Sequence, residues 1–431
     1  SGGEWQGVRL IKGVAVIAID NLSAKLGEIA ARFYSHPSRR LSVIGITGTN
    51  GKTSCSQFIA QALADTGFSC GTMGTLGYGI YGELKETQLT TPDPVFTQMA
   101  LAEMAQGGID PVVMEVSSVG LHQRRVKAVK FDTAIFTNLT RDHLDYHESM
   151  EAYGNNKKKL FTSEGLSRAI VNLDDPYALS IINAIAPSVD VYTYSLKNSA
   201  ATVYAESLSL TRQGFEARLV TPIGAGTVKG KLFGYFNVSN LLAVITTLIN
   251  YLPKKKVLDI AQLCELVSGL SSVDGRMEII GDFEEITAVV DYAHTPDGLR
   301  SALKGLRDHF SGNIWCVFGC GGNRDKGKRP IMGEVAEAFA DRLIITDDNP
   351  RNEKGDDIVQ HILSGMNKPE QAVIERDREK AIAYAIANAE SGDVVVVAGK
   401  GHETYQDVGG SRLIFSDASQ VRLALQAREK K

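Results

Sequence analysis

The stretch Leu41-Ser-Val-Ile-Gly-Ile-Thr-Gly-Thr-Asn-Gly-Lys-Thr53 decides the fold, because an apolar run enters a glycine-rich turn that leads into a helical pattern. We expect a β-strand from Leu41 to Ile46 and a helix from about Lys52 to Thr66. Glycines let backbone N–H groups face phosphate oxygens, and the positive end of the helix dipole favours an anion there. The stretch therefore predicts a nucleotide phosphate site on a strand–turn–helix unit.

The last two residues of this phosphate loop, residues 47–53, carry chemistry of their own. Lys52 supplies positive charge for the outer phosphates, and the hydroxyl of Thr53 can bind Mg²⁺. The spacing departs from the usual pattern, because its first glycine would fall at position 46, which is Ile. A glycine-rich turn without a ligand is the alternative interpretation.

Composition narrows the class of protein. The 431 residues suggest about three domains of roughly 150 residues each. The net charge of −4 argues against a general nucleic-acid-binding protein, which would usually be basic. Five scattered cysteines favour buried free thiols over a disulfide framework. The chain lacks an apolar run of about 18 residues, so we expect no membrane insertion. It does not start with a signal-peptide pattern, and its scattered cysteines fit a reducing cytoplasm. We also expect a monomer.

Strand and helix patterns alternate along most of the chain, which predicts an α/β fold with a parallel, doubly wound sheet. Further strands are expected at residues 13–19, 111–115, 133–137, 169–172, 287–291, 314–318, 342–346 and 393–398, and further helices at 21–34 and 237–252. Residues 200–233 show short alternating runs that favour antiparallel strands. Ligands of open α/β sheets bind at the carboxyl ends of the strands, so the loops there are the candidate sites.

Candidate metal and acid–base residues follow two of these strands. Glu115 ends an apolar strand, and a carboxylate beside a phosphate loop is a natural Mg²⁺ ligand, although a surface glutamate is the alternative. The loop after the strand at 133–137 concentrates four such residues, Asp142, His143, Asp145 and His147. Such a cluster is also typical of a solvated turn. A short basic run, residues 157–159, follows.

Five short motifs stand out from the chain, and they are Gly45-Ile-Thr-Gly-Thr-Asn-Gly-Lys-Thr53, Met114-Glu-Val-Ser-Ser118, Asn138-Leu-Thr-Arg-Asp-His-Leu-Asp-Tyr-His147, Phe236-Asn-Val-Ser-Asn240 and Asp291-Tyr-Ala-His-Thr-Pro296. In this order they resemble the Mur ligase family of peptidoglycan synthesis. Three more motifs resemble its diaminopimelate-adding members, and they are Gly319-Cys-Gly-Gly-Asn-Arg-Asp-Lys-Gly-Lys-Arg-Pro330, Asp348-Asn-Pro-Arg351 and Gly399-Lys-Gly-His-Glu403. The resemblance runs from about residue 13 to the C-terminus.

The resemblance implies an architecture and a reaction. It implies part of an N-terminal α/β domain that binds uridine over residues 1–40, a central ATP-binding domain with a parallel sheet over 41–272, and a C-terminal Rossmann-like domain that binds the amino acid over 273–431. ATP, with Mg²⁺, would phosphorylate the terminal carboxylate of UDP-N-acetylmuramoyl-L-alanyl-D-glutamate. The amine of meso-2,6-diaminopimelate would then attack the acyl phosphate.

The resemblance also implies roles for residues of this chain. The catalytic residues are Lys52, Glu115, His143 and Lys157, of which the last three, with Lys157 as a carbamate, bind Mg²⁺ together with Thr53. The ATP group is Gly48, Thr49, Asn50, Gly51, Lys52, Thr53, Ser54, Asn237, Asn240, Arg276, Asp291 and His294. The UDP-muramoyl dipeptide group is Thr90, Thr91, Ser117, Gln123 and Arg125. The diaminopimelate group is Arg324, Asp348, Asn349, Pro350, Arg351, Gly399 and Glu403. Taken singly, Asn237 is also typical of a helix N-cap, and the later ATP residues are typical of turns.

Within the diaminopimelate group, Arg351 is the informative residue. Diaminopimelate has a second carboxylate at its far end, which a guanidinium can bind through two hydrogen bonds. Glu403 suits the distal ammonium. The loop argues against the two closest alternatives, a lysine-adding ligase and a folylpolyglutamate synthase. A regulatory phosphate-loop NTPase is the alternative from another class, but it would not require a second domain rich in polar loops.

Overall fold

Two mainly parallel sheets organise the chain. A computed structural model describes residues 7–252, 258–281 and 285–429. The strands are β1 Gly7–Ile11, β2 Val14–Ala18, β3 Val43–Thr47, β4 Gly71–Gly74, β5 Gly77–Ile80, β6 Glu83–Lys85, β7 Val112–Glu115, β8 Thr133–Phe136, β9 Arg168–Asn172, β10 Asp190–Ser195, β11 Val203–Thr211, β12 Gly214–Thr221, β13 Gly224–Gly230, β14 Glu278–Ile280, β15 Thr287–Asp291, β16 Ile314–Phe318, β17 Arg342–Ile345, β18 Val373–Ile374, β19 Val394–Ala398, β20 Tyr405–Val408 and β21 Ser411–Ile414.

Helices connect most of these strands. They are α1 Leu22–Phe33, α2 Lys52–Asp65, α3 Pro94–Gln106, α4 Ser118–His122, α5 Leu144–His147, α6 Met150–Lys158, α7 Ala178–Ile182, α8 Tyr235–Tyr251, α9 Ile260–Ser268, α10 Pro296–Arg307, α11 Lys328–Phe339, α12 Gly355–Leu363, α13 Arg378–Asn388 and α14 Asp417–Glu429. No helix within the described ranges is long and apolar enough to cross a lipid bilayer.

The larger sheet places the phosphate loop at its centre. Its strand order, in the part of the chain that is described, is β13-β12-β11-β10-β9-β8-β3-β7-β4-β5-β6. The strands from β11 to β4 in this order pair in parallel, and both ends of the sheet are antiparallel. Every residue of β3 is buried, because helices cover both faces. The loop that follows β3 therefore leaves from the middle of the sheet edge.

The smaller sheet has the strand order β14-β15-β19-β16-β17-β18, and all pairs except β14–β15 are parallel. Successive side chains of a strand point to opposite faces of the sheet, so β19, which is mostly valine, contributes to a hydrophobic core on each face. Val394 and Val396 pack with α10, α11 and α12 on one face, whereas Val395 and Val397 pack with α13 and α14 on the other. The sheet is thus covered on both sides, as expected of a doubly wound fold.

The structure confirms the main strand and helix predictions and corrects one residue. The strand expected at 13–19 contains β2, which forms a largely exposed antiparallel hairpin with β1. The antiparallel region expected at 200–233 is confirmed as β11 to β13. The interpretation of Asn237 as a helix N-cap is wrong, because α8 begins at Tyr235 and Asn237 lies inside its first turn. All five cysteines are buried free thiols, as predicted.

Candidate active site

The phosphate loop turns sharply between β3 and α2. Gly51 has a φ of 86°, and a Cβ placed there would lie 2.5 Å from Oδ1 of Asn240, a residue of α8. A Cβ on Gly48 would collide with Oγ1 of Thr137. At position 51 only glycine tolerates both the left-handed backbone and the close approach of Asn240. The glycines therefore bring the loop against α8 and leave the first N–H groups of α2 facing an anion site.

Lys52 folds back over the loop. Its Nζ donates hydrogen bonds of 2.8 Å to the carbonyl oxygens of Gly48 and Thr49. Burial lowers the pKa of Lys52, whereas the nearby carboxylates of Glu115 and Asp142 act to raise it. The ammonium is therefore held at the loop by neutral acceptors, which an incoming phosphate can replace.

Glu115 forms an oxygen-rich corner beside the loop. Its side chain is buried at the tip of β7. Oε2 accepts hydrogen bonds from the hydroxyls of Thr53 at 2.9 Å and Thr75 at 3.2 Å, and Oε1 accepts one from the Thr75 N–H at 2.8 Å. Oxygen atoms, such as those of hydroxyl and carboxylate groups, are the ligands that Mg²⁺ prefers. The described residues contain no group of three or more His, Cys, Asp or Glu side chains that could hold a metal ion, so Mg²⁺ here would also need oxygen ligands from phosphate and water.

Residues near the ends of β14 and β15, in the smaller sheet, reach the same corner. Arg276 Nη2 lies 3.3 Å from Thr53 Oγ1, and the guanidinium carbon stands 4.4 Å from the centre of the Tyr292 ring. Burial raises the pKa of Asp291, although Arg276 opposes the shift. Burial lowers the pKa of His294, and Lys328 adds to the shift. The C-terminal part of the chain thus supplies both a cation and titratable groups to the phosphate loop.

A cavity of about 500 Å³ collects these residues. Every member of the predicted ATP group except Gly48 lines it, and so do Thr90, Glu115 and His143. Its walls come from the loop, from α8 and from α10, so it lies between the two sheets. The structure therefore brings together residues that are more than 200 positions apart in the sequence.

The four residues of the acidic and histidine-rich loop after β8 lie in three environments: the cavity, the protein interior and the exposed surface. Asp142 and His143 line the cavity, and His143 has a φ of 52° with its side chain 52% exposed. His147 is buried instead, with Nε2 2.9 Å from Oγ of Ser118. Asp145 is exposed. Two of the four residues in the cluster therefore face the candidate nucleotide site.

Lys157 is the most unusual cation in this region. Its side chain is buried in α6, and its Nζ stands 4.3 Å from the centre of the Tyr153 ring. Burial drives the pKa of Lys157 well below the usual value, and the charge of Lys52 adds to the shift. Lys157 does not line the cavity, but the hydroxyl of Tyr153 lies 3.1 Å from Thr49 Oγ1 in the phosphate loop. A lysine with such a pKa is poised to be a neutral amine.

Four of the five residues of the predicted dipeptide group form a hydrogen-bonded set next to Glu115. Thr91 is buried and joins the others, because its Oγ1 accepts from the Ser117 N–H at 2.9 Å and its carbonyl oxygen accepts from Arg125 Nη1 at 2.7 Å. Gln123 Oε1 accepts two further hydrogen bonds from the Arg125 guanidinium. Thr90 stands apart, with its Oγ1 3.0 Å from that of Thr75. Thr91 therefore holds loops together, whereas Gln123 is exposed and Arg125 is half-buried.

The predicted diaminopimelate group lies at the carboxyl ends of β16, β17 and β19. Arg351 has a φ of 51°, donates from Nη1 to the Gly322 carbonyl at 2.9 Å, and lies 3.9 Å from the carboxylate of Asp407. Arg324 is exposed, and both arginines lie near Gly321. On the other side of the loop, Asn349, Lys400 and Glu403 form a hydrogen-bonded triangle with distances of 2.9 to 3.0 Å.

A second cavity, of about 1200 Å³, lies beside the first. Glu403 lines it, as do polar residues of α2 and of the segment around β5 and β6. Thr75 and Tyr292 line both cavities, so the two spaces are adjacent. Glu403, one residue of the predicted diaminopimelate group, therefore faces a space that adjoins the cavity of the phosphate loop.

Comparison with known proteins identifies the family. Residues 46–248 match the Mur ligase middle domain, and residues 275–401 match the Mur ligase, glutamate ligase domain. The chain is 47% identical over 417 residues to the UDP-N-acetylmuramoyl-L-alanyl-D-glutamate--2,6-diaminopimelate ligase of Coxiella burnetii, a match that covers 96% of this chain and 84% of that protein. The chain belongs to the Mur ligase family.

Other proteins that are similar to this Mur ligase support the same family assignment. The Pseudomonas aeruginosa protein of the same name is 46% identical, with 96% of this chain and 84% of the relative covered. A solved structure of a UDP-N-acetylmuramoyl-L-alanyl-D-glutamate--2,6-diaminopimelate ligase superposes with a TM-score of 0.69 at 37% identity, over 96% of this chain and 84% of that one. A Mycobacterium tuberculosis folylpolyglutamate synthase complexed with ADP and AMPPCP reaches 0.71 at 17% identity, over 87% of this chain and 92% of that one, a likeness of fold alone.

Sequence reasoning missed several residues that shape the site of this Mur ligase. Thr75 was not predicted, because it lies in a glycine-rich segment with weak strand patterns. Lys400 lies within the motif at 399–403 and Tyr153 four residues before Lys157, but the sequence alone assigns neither of them a role. Lys400 carried the better signal, since it is a charged residue between two glycines at the end of an apolar strand.

Proposed function

We propose that this chain is an ATP-dependent ligase that joins meso-2,6-diaminopimelate to UDP-N-acetylmuramoyl-L-alanyl-D-glutamate, with ADP and phosphate as the other products. One observation carries the proposal beyond the family. The phosphate loop lines one cavity and Glu403 lines an adjacent one, and the two cavities share Thr75 and Tyr292. Asn349 is hydrogen-bonded to Glu403 at 2.9 Å. The names of the relatives support this pair of substrates.

The first step would activate the carboxylate. An oxygen of the terminal carboxylate attacks the γ-phosphorus of ATP, the bond to ADP breaks, and an acyl phosphate forms. Bringing two anions together requires cations, and Lys52 and Arg276 both reach the loop, the latter 3.3 Å from Thr53 Oγ1. The catalysis of phosphoryl transfer is largely positioning and charge neutralisation.

The second step would form the amide. The amine nitrogen of diaminopimelate attacks the acyl carbon, and the tetrahedral intermediate expels phosphate while the nitrogen loses a proton. The far end of the amino acid would lie at Arg351 and Glu403. Arg324 and Asn349 would complete its contacts, together with Asp348, Pro350 and Gly399. A guanidinium can hold the distal carboxylate through two hydrogen bonds, which sets the selectivity for a diamino diacid.

The residues around Glu115 fit Mg²⁺. Thr53, Glu115 and His143 would hold it, joined by Lys157 once that amine has added CO₂ and lost a proton to become a carbamate. Bound Mg²⁺ would neutralise phosphate charge during the transfer. Burial of the Lys157 ammonium supports the carbamate, because the neutral amine is the reactive form and its lowered pKa makes that form more abundant.

The dipeptide end of the substrate would lie along the set formed by Thr90, Thr91, Ser117, Gln123 and Arg125. Of these, half-buried Arg125 carries the positive charge that would attract an anionic ligand, and exposed Gln123 lies beside it. We also propose three domains, at residues 1–40, 41–272 and 273–431, in a monomer of the cytoplasm. The five buried free thiols are in keeping with a reducing compartment.

Transfer of ¹⁸O tests the acyl phosphate. The terminal carboxylate of the UDP-linked dipeptide is labelled with ¹⁸O, and the released phosphate is analysed by mass spectrometry. We expect one labelled oxygen in each phosphate, since a carboxylate oxygen becomes the bridge to phosphorus and leaves with it. Phosphate that carries no label, formed alongside the amide product, would exclude this intermediate. Reactions without diaminopimelate serve as the control for uncoupled hydrolysis.

A further inference from the structure

Lys400 is a fully buried cation at the edge of the proposed amino-acid site. It follows β19 and stands between Gly399 and Gly401, both of which have positive φ. Its side chain is 0% exposed. Burial of an ammonium is costly unless hydrogen bonds and an opposite charge compensate for the lost hydration. The partners of Lys400 therefore show why the chain keeps a lysine there.

Those partners are two members of the diaminopimelate group. Lys400 Nζ donates to Oδ1 of Asn349 at 3.0 Å and to Oε2 of Glu403 at 2.9 Å. Asn349 Nδ2 donates to the same Oε2 at 2.9 Å, which closes the triangle. The backbone N–H of Asp407 donates to Asn349 Oδ1 at 2.8 Å. The amide of Asn349 is thereby fixed on both sides.

The triangle leaves one oxygen of Glu403 available. Two donors occupy Oε2, whereas Oε1 accepts no hydrogen bond from the residues that the structure describes. Glu403 is 21% exposed and lines the larger cavity. With Oε2 fixed, the carboxylate can direct Oε1 at an ammonium in that cavity without rotating away.

We propose that Lys400 is a positioning residue for the amino-acid substrate, which it serves by holding Asn349 and Glu403 in their binding orientations. The inference rests on the proposed function, because it assigns the cationic end of diaminopimelate to Glu403. Lys400 itself touches no substrate. Its removal should therefore change the KM for diaminopimelate and leave the other two substrates unaffected.

Steady-state kinetics of Lys400→Met test this. We expect the KM for diaminopimelate to rise roughly 10- to 100-fold, as for lost hydrogen bonds to charged groups. The KM values for ATP and for the UDP-linked dipeptide should stay within about twofold. Val395→Ala is the matched control. Val395 lies in β19, on the face covered by α13 and α14, so the loss of its methyl groups lowers stability without a change at the site.

A double-mutant cycle separates positioning from mere stabilisation. In a Glu403→Gln background, Lys400→Met should raise the KM for diaminopimelate by less than about threefold, because residues that act together are not additive. Lys400→Met leaves the carboxylate of Glu403 without its cation, whereas the double variant has a neutral amide at position 403. The double variant, compared with Glu403→Gln, therefore tests the inference if Lys400→Met alone does not fold. An unchanged KM in folded Lys400→Met, or equal rises for all three substrates, would overturn the inference. Wild-type protein that never uses diaminopimelate would instead overturn the proposed function.

Discussion

The hydroxyl of Thr53 donates a hydrogen bond of 2.9 Å to Oε2 of Glu115, and this contact joins the first turn of α2 to the tip of β7. Parallel strands place their carboxyl ends at one edge of a sheet, so the contact follows from β3 and β7 being neighbours. It puts a hydroxyl and a carboxylate side by side at the phosphate loop. This corner is where a hard cation would meet the nucleotide phosphates.

Glu115→Gln should remove turnover without removing nucleotide binding. The amide keeps an oxygen for the Thr53 hydroxyl but loses the charge that attracts Mg²⁺. We expect kcat to fall by at least roughly 100-fold, since a catalytic metal contributes several kcal/mol. Binding of ATP in EDTA, measured by calorimetry, should be retained. Glu103→Gln is the control, because Glu103 is a half-exposed carboxylate whose only ion pair among the described residues is with exposed Lys85, and it should behave like wild type.

Gly51→Ala should weaken ATP binding. The new Cβ would combine a left-handed backbone with a distance of 2.5 Å from Asn240 Oδ1, so the loop must shift away from α8. Gly67→Ala, just beyond the other end of α2, is the matched control: its φ is 90°, but nothing lies within 4 Å of the new Cβ. Both variants should lose thermal stability. Only Gly51→Ala should raise the Kd for ATP, and equal Kd values for the two variants would count against the loop assignment.

Lys157 should make activity depend on CO₂ and pH. Its pKa is lowered, so the neutral amine becomes more abundant as pH rises through that lowered value, and carbamate formation should increase in the same direction. Protein exposed to acid without CO₂ should lose activity and regain it with bicarbonate at neutral or alkaline pH. Carbon-13 NMR with labelled bicarbonate would detect the carbamate.

The neighbouring lysine supplies the control for this prediction. Lys158 is less buried and stands 5.2 Å from the Tyr177 ring, so Lys158→Met should keep the response to bicarbonate. Lys157→Met should be inactive at every bicarbonate concentration. It should also be more stable than unmodified wild type below the lowered pKa, because a buried ammonium is replaced by an apolar side chain. An active Lys157→Met variant would exclude the carbamate.

Arg351→Ala should impair the use of diaminopimelate far more than the binding of ATP. The guanidinium is held near the site by Gly322 and Asp407, and its loss would leave the distal carboxylate without its bidentate partner. We expect a rise in KM of roughly 10- to 100-fold. Arg342→Ala, an exposed residue at the start of β17, is the control. Unchanged kinetics with diaminopimelate would refute the assignment.

The central strands and their loops could be predicted from the sequence because buried parallel strands are continuous apolar runs. Several of these apolar runs end directly at a polar residue, as at Thr47, Glu115 and Asp291. The short strands β4 to β6 could not, because Gly71, Gly77 and Gly79 interrupt the pattern. The hairpin of β20 and β21 had a usable signal in the Gly-Gly pair at 409–410 that joins its strands.

The contacts of the site were harder to predict than its members. The spacing of His143 and His147 does not show that one faces the cavity and the other contacts Ser118, nor that His143 has a positive φ. The role of Lys400 depends on Asn349, which is 51 residues away. Such pairings exist only once β17 and β19 share a sheet.

Phosphate release in the presence of ATP, the UDP-linked dipeptide and one amino acid at a time tests the central claim most directly. We expect rapid release with meso-2,6-diaminopimelate and none without the dipeptide. Release with L-lysine should be slower by at least roughly 100-fold, since a site built for a carboxylate is left with unpaired buried polar groups when that carboxylate is absent. Equal rates with lysine, or release that needs neither the dipeptide nor an amino acid, would contradict the account.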